Sequence, residues 1–214
     1  MYICNINYKM DRDKILSDII KASGMHKSRI FNVIIFGSRV YGTHTADSDW
    51  DVIIVGKYSV ESIEIKDELF NIHIYTPDKW KKDLDWHMPK NIECQFAPDW
   101  AKLKEDMKFK FTLDHPKLRH ATSHVSSNSW VKAKKKLLVA DEYNIGVKSL
   151  FHAIRIPMFS TQLAEFGMIK DFKCANHIWD KISEKNWTWE ELDKEFRTEH
   201  NSVLTEFRKL VGKE

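Results

Sequence analysis

Asp49 and Asp51, with Trp50 between them, open the apolar run Val52-Ile53-Ile54-Val55, and their type and spacing imply chemistry most directly. On an extended strand alternate side chains share a face, so the two aspartates point one way and Trp50 the other. Carboxylates that close repel each other and rarely stay ionised without a cation between them. Hard oxygen donors of this kind select Mg²⁺. Upstream, the apolar run Ile34-Ile35-Phe36 ends in Gly37-Ser38. Glycine lets the chain turn sharply after a strand, and Ser38 stands where a following helix would present free N–H groups to an anion. A phosphate grip and a magnesium-binding acid pair are therefore expected at the ends of neighbouring apolar runs.

The surrounding elements are read from periodicity and punctuation. Asp11 is placed to cap a helix with Ile15, Leu16, Ile19 and Ile20 on one face, ending at Gly24. Residues 29–36 read as a buried strand, Gly37 to Tyr41 as the start of a short helix, and 49–55 as the next strand. Lys57 to Ser62 reads as connection. Glu68 to Tyr75 reads as a third strand, with Phe70, Ile72 and Ile74 on one face and Asn71, His73 and Tyr75 on the other. Thr76-Pro77-Asp78 starts a helix, and Asn91 to Phe96 is expected as a fourth short strand. Beyond Asp114 helical spacing takes over. Helices are expected over 127–139, over 146–166 with an interruption and kink at Pro157, after a cap at Asp171, and after a capping box formed by Thr188 and Glu191. The chain thus divides into a strand-bearing half, 1–113, and an all-helical half, 114–214.

The 214 residues suffice for one large domain or two small ones, and 43% hydrophobic with 12% aromatic content argues for a folded globule. The 34 basic and 31 acidic residues nearly cancel, at a net charge of +3, so a nucleic-acid partner is permitted without being required. Cys4, Cys94 and Cys174 are far apart and form neither a disulfide framework nor a zinc knuckle. No apolar run approaches the length of a membrane span and no signal peptide is seen, so the expectation is a cytoplasmic protein with no membrane partner.

Gly-Ser-Arg-Val-Tyr-Gly followed by Asp-Ser-Asp-Trp-Asp at the head of an apolar strand resembles the signature of the DNA polymerase β-like nucleotidyltransferase superfamily. It is most similar to the superfamily's small predicted nucleotidyltransferases, phage-borne ones and those linked to RNA repair among them. The resemblance implies an α+β fold: a small mixed β-sheet core with helices on one face, followed by an all-helical C-terminal domain. It implies transfer of a nucleoside monophosphate from an NTP, ATP included, to a hydroxyl acceptor that is a small molecule, a protein or RNA. It also implies Mg²⁺, up to two ions, bridged by Asp49 and Asp51, and a triphosphate gripped by Gly37 and Ser38 with Arg39 beside it.

The family usually adds a third carboxylate on the neighbouring strand, and here this sequence departs from it. The matching face carries Asn71 and His73. Asparagine offers only a neutral oxygen, whereas histidine exchanges a proton near neutral pH. No acid follows on that face until Glu68 at the strand's edge or Asp67 before it, and Glu93, in the expected fourth strand, is another candidate metal ligand. Two readings follow: an active transferase with His73 as proton acceptor, or a catalytically degenerate nucleotide-binding module. On the helical side Lys148, His152 and Arg155 recur at helical intervals and form a basic stripe that could close over the triphosphate. The run Lys132 to Lys136 is either a solvated face or a nucleic-acid platform, the latter fitting an RNA-end-modifying or repair enzyme.

Overall fold

The computed structural model describes residues 11–212. Helix α1 (Arg12–Ser23) starts where the Asp11 carboxylate accepts from the Lys14 N–H at 3.1 Å, and it stops at Gly24 in the left-handed region. Strand β1 (Ile30–Phe36), the single-turn helix α2 (Ser38–Tyr41) and strand β2 (Trp50–Gly56) follow as expected. Strand β3 (Ser62–Lys66) turns back on β4 (Phe70–Tyr75) through a loop held by Asp67, whose carboxylate accepts from the Leu69 and Phe70 N–H groups. The five-stranded sheet, completed by β5 (Lys102–Glu105), has the order β3-β4-β2-β1-β5. Only β2 and β4 run parallel. The expected strand at 91–96 is instead helix α4 (Pro89–Gln95), which follows α3 (Pro77–Asp85). Pro89 sits in the first turn of α4, and Asn91, Ile92, Glu93 and Cys94 are all buried, which strand alternation against one core would not produce.

Two edge strands were not legible. Ser62–Lys66 is exposed along nearly its whole length and Lys102–Glu105 carries three charged residues in four, so neither carries the apolar signature of a central strand.

The helical region begins at α5 (His115–Leu138), capped by Asp114, and continues through α6 (Tyr143–Phe166), α7 (Asn176–Ile182) and α8 (Trp189–Leu210). Helix α6 runs without interruption through Pro157. The Ala153 carbonyl that the proline leaves without a helical partner accepts from the Ser126 hydroxyl at 2.7 Å, so the lost ladder bond is replaced from α5. Asp171 does not cap α7. Its carboxylate closes a local turn onto the Lys173 N–H, and the helix starts five residues later. The capping box at Thr188 and Glu191 is present.

Alternation in β2 and β4 separates two cores. Val52, Ile54, Phe70, Ile72 and Ile74 pack with Ile19 of α1 on one side of the sheet. Ile53 and Val55 face the other side, where one continuous core runs through Trp80 and Leu84 into Leu150, Ile154, Phe196 and Phe207 of the helical region. That continuity fixes α6 over the ends of β1 and β2. Cys94 and Cys174 are free thiols, and Cys4 lies outside the described residues. Among the described residues no helix is long and apolar enough to cross a membrane.

Candidate active site

The ends of β1 and β2 meet α5 and α6 across a cleft of about 460 Å³. Gly37, Ser38, Asp49 and Asp51 line its sheet side, and Lys132, Lys148, His152 and Arg155 its helical side. The cleft also takes in Tyr41, Thr43, Ser129, Phe151 and Trp179. Arg39, Asn71, His73 and Glu93 do not line it.

Register explains the sheet side. Phe36 pairs with Asp51, Asp51 with Asn71, and Asn71 with Lys66, so one row crosses four strands. Gly37 follows Phe36 with φ +77°, a conformation that side chains rarely adopt. A Cβ there would also penetrate the Asp51 carboxylate. Glycine is therefore required twice at this point, once by the backbone and once by the acid that lies against it.

Burial, then the neighbouring charge of Asp49, raises the Asp51 carboxyl from 3.8 to about 6, although a hydrogen bond from Asn71 and the charges of Lys90 and Lys148 act against the shift. Asn71 Nδ2 donates to Asp51 Oδ1 at 3.2 Å, while Asn71 Oδ1 is buried without a protein partner. Asp49 lies at the strand's entrance with Lys66 Nζ at 3.6 Å. Arg39 does not reach into the cleft. Its guanidinium donates to the Ser48 and Asp49 carbonyls and stacks on Trp50 at 3.9 Å, so it clamps the backbone that presents Asp49. His73 lies one register step beyond, with Lys90 Nζ 3.5 Å from its Nδ1 and Glu64 at 3.9 Å from its Nε2. Burial and Lys90 lower its pKa, and the lysine occupies the lone pair that a base would use.

Glu93, the third expected metal ligand, is turned toward the helical region. Its carboxylate accepts from the Tyr41 hydroxyl and pairs with Arg155 Nη2 at 3.2 Å, with both side chains almost fully buried. Arg155 stacks over the Tyr41 ring at 3.6 Å. Burial opposes its charge, but Glu93 and Tyr41 outweigh that and raise its pKa. The same Nη2 lies 2.8 Å from His152 Nδ1. A guanidinium can only donate, so Nδ1 accepts and the ring proton sits on Nε2. Burial, Arg155 and Lys132 hold His152 down to about 3.

The expected basic stripe therefore resolves into three different groups: Lys148 as an exposed cation, His152 as a neutral N–H donor, and Arg155 as the buried partner of Glu93. The lysine run also divides. Lys132 faces the cleft, Lys136 is bound to Glu142 at 2.7 Å, and Lys134 and Lys135 are exposed. The roles of Tyr41, Lys66 and Lys90 were not anticipated. Only the row across the sheet, the packing of α2 under α6 and the placing of α4 against Phe36 and His73 bring them in, although Ser129 and Lys132, three apart, carried a weak signal of a shared polar face.

Residues 15–119 of the sequence match the nucleotidyltransferase domain family. Among solved structures, the spectinomycin adenyltransferase of Enterococcus faecialis, determined with ATP and spectinomycin, is similar at 11% identity with a TM-score of 0.45, over 94% of this chain and 98% of that one. A nucleotidyltransferase-like protein from Exiguobacterium sibiricum is similar at 11% identity with a TM-score of 0.31, over 93% of this chain and 72% of that one. No curated protein matches the chain.

Proposed function

Residues 15–119 belong to the nucleotidyltransferase domain family, and on that premise we propose that the protein is a Mg²⁺-dependent transferase that moves a nucleoside monophosphate from an NTP to a hydroxyl acceptor and releases pyrophosphate. One observation carries the reading: the Asp51 carboxylate lies against Gly37, and with Asp49 and Ser38 it faces Lys132 and Lys148 across a single cleft. The residues fit a hard divalent cation, because Asp49 and Asp51 present carboxylate oxygen donors to the same cleft. When bound, Mg²⁺ supplies Lewis-acid polarisation of the phosphoryl oxygens.

The chain's own residues do the rest by positioning and charge neutralisation, which phosphoryl chemistry chiefly needs. Lys148 and Lys132 offset triphosphate charge from the helical side. His152 directs its Nε2–H at a phosphoryl oxygen and cannot serve as a base, since its other nitrogen is held by Arg155. Arg39 keeps Asp49 in place through its carbonyl. With the His73 lone pair taken by Lys90, the acceptor proton leaves to water rather than to that ring. Transfer of label from [α-³²P]NTP to an acceptor, in the presence of Mg²⁺, tests this. Asp49→Ala with Asp51→Ala should lower it at least about 10³-fold, and undiminished transfer in that double variant would sink the proposal.

A second reading rests on Asn71, which stands where an acid would complete the site: a module that binds the nucleotide without transferring it. Calorimetric NTP binding with no turnover over a broad panel of hydroxyl acceptors, RNA ends included, would favour it.

A further inference from the structure

We propose that this site binds one divalent cation and not a pair. The inference rests on the nucleotidyltransferase reading of the cleft, and it concerns the donor set around Asp51.

Two cations about 3.5–4 Å apart concentrate four positive charges and call for carboxylates that reach both. Here the acids are Asp49 and Asp51, and among the described residues no group of three His, Cys, Asp or Glu side chains gathers to hold a metal. The place across the parallel pair from Asp51 belongs to Asn71. Its N–H points at Asp51 Oδ1 from 3.2 Å, so the carboxylate oxygen that a second cation would share already faces a hydrogen-bond donor.

Positive charge already flanks the acids on two sides. Lys66, next in the same row, reaches Asp49 at 3.6 Å. Lys90 sits behind the row, over the Phe36 ring at 5.4 Å and against His73. Two carboxylates are thus already opposed by two ammonium groups. One further cation, brought in with the charge of the triphosphate, is accommodated. A second would meet the Asn71 amide with no further protein carboxylate among the described residues to hold it. One neutral oxygen remains unspent: Asn71 Oδ1, buried and without a partner. Being neutral, it brings no charge for a second ion.

Binding of Mn²⁺ to the full chain in the presence of excess α,β-methylene-ATP, followed by the loss of the free-ion electron paramagnetic resonance signal, counts the cations directly. The expected result is one equivalent per chain beyond what the free nucleotide takes up. Two equivalents would overturn the inference and leave the nucleotidyltransferase reading standing. No equivalents, with no nucleotide retained, would overturn both. Asn71→Asp restores a third acid and is expected to raise the count from one to two. A count that stays at one in the folded variant, judged by its circular dichroism, would overturn the part assigned to Asn71.

Discussion

Replacing Glu93 by Gln separates a structural role from a metal-binding one. Glu93 and Arg155 form an ion pair at 3.2 Å with side chains 5% and 3% exposed. Arg155 Nε and Nη1 have no partner of their own, so Glu93 is the one carboxylate that compensates its charge among the described residues. Taking one member from a buried pair leaves the other uncompensated and costs about 3–5 kcal/mol. Glutamine keeps an oxygen in place to accept from Nη2, so the lower end, about 3 kcal/mol, is expected. For a chain of this size that corresponds to a melting temperature lowered by roughly 6–12 °C. Urea unfolding followed by tryptophan fluorescence gives the free energy, and Arg155→Met in the same background should recover most of it, because the pair is then removed together. The Mg²⁺ affinity of folded Glu93→Gln should stay within about twofold of wild type, since Glu93 faces Tyr41 and Arg155. A loss below about 1 kcal/mol, or a collapse of Mg²⁺ affinity without loss of stability, would refute the reasoning and return Glu93 to the metal.

Gly37→Ala should keep the fold and lower turnover by about 100-fold or more, because the new Cβ displaces Asp51 and misplacement by about an ångström is that costly; activity within tenfold of wild type would contradict it. Asp51→Asn should stabilise the protein in EDTA at pH 8. The folded carboxyl is raised from 3.8 to about 6, so stability from this group is complete below pH 3.8 and is lost as pH rises through 6, a penalty of about 2–3 kcal/mol that asparagine avoids. Calorimetric scans at pH 4 and pH 8 check this: the gain should appear only at the higher pH, and a gain equal at both would count against it. The ¹⁵N chemical shifts of His152 should report a neutral ring protonated at Nε2 down to pH 5; an imidazolium signal at pH 5 would show that Arg155 does not donate to it.

Much of the sheet side was legible in the sequence, because local rules govern it. Gly37 follows one buried strand, Trp50 and Asp51 open the next, and alternation separates Asn71 and His73 from Phe70, Ile72 and Ile74. Capping chemistry likewise marked Asp11, Thr76 and Thr188. The segment 91–96 misled because four successive buried residues have no period that distinguishes a short strand from a helix held on two sides. The edge strands were silent because each pairs on one side only and carries little apolar surface.

The sequence by itself determined the acid pair, the glycine turn, the alternation that aims them and, over residues 15–119, the match to the nucleotidyltransferase domain family. These depend on residues close together in the chain and on side chains whose direction the backbone period sets. Only the tertiary structure decided what each basic residue does. Lys148, His152 and Arg155 share one helical stripe, yet Glu93 from α4 pairs with the arginine, the arginine fixes the tautomer of the histidine, and the lysine alone stands exposed at the cleft. Charge state and partner depend on burial and on groups distant in sequence, and helical spacing records neither.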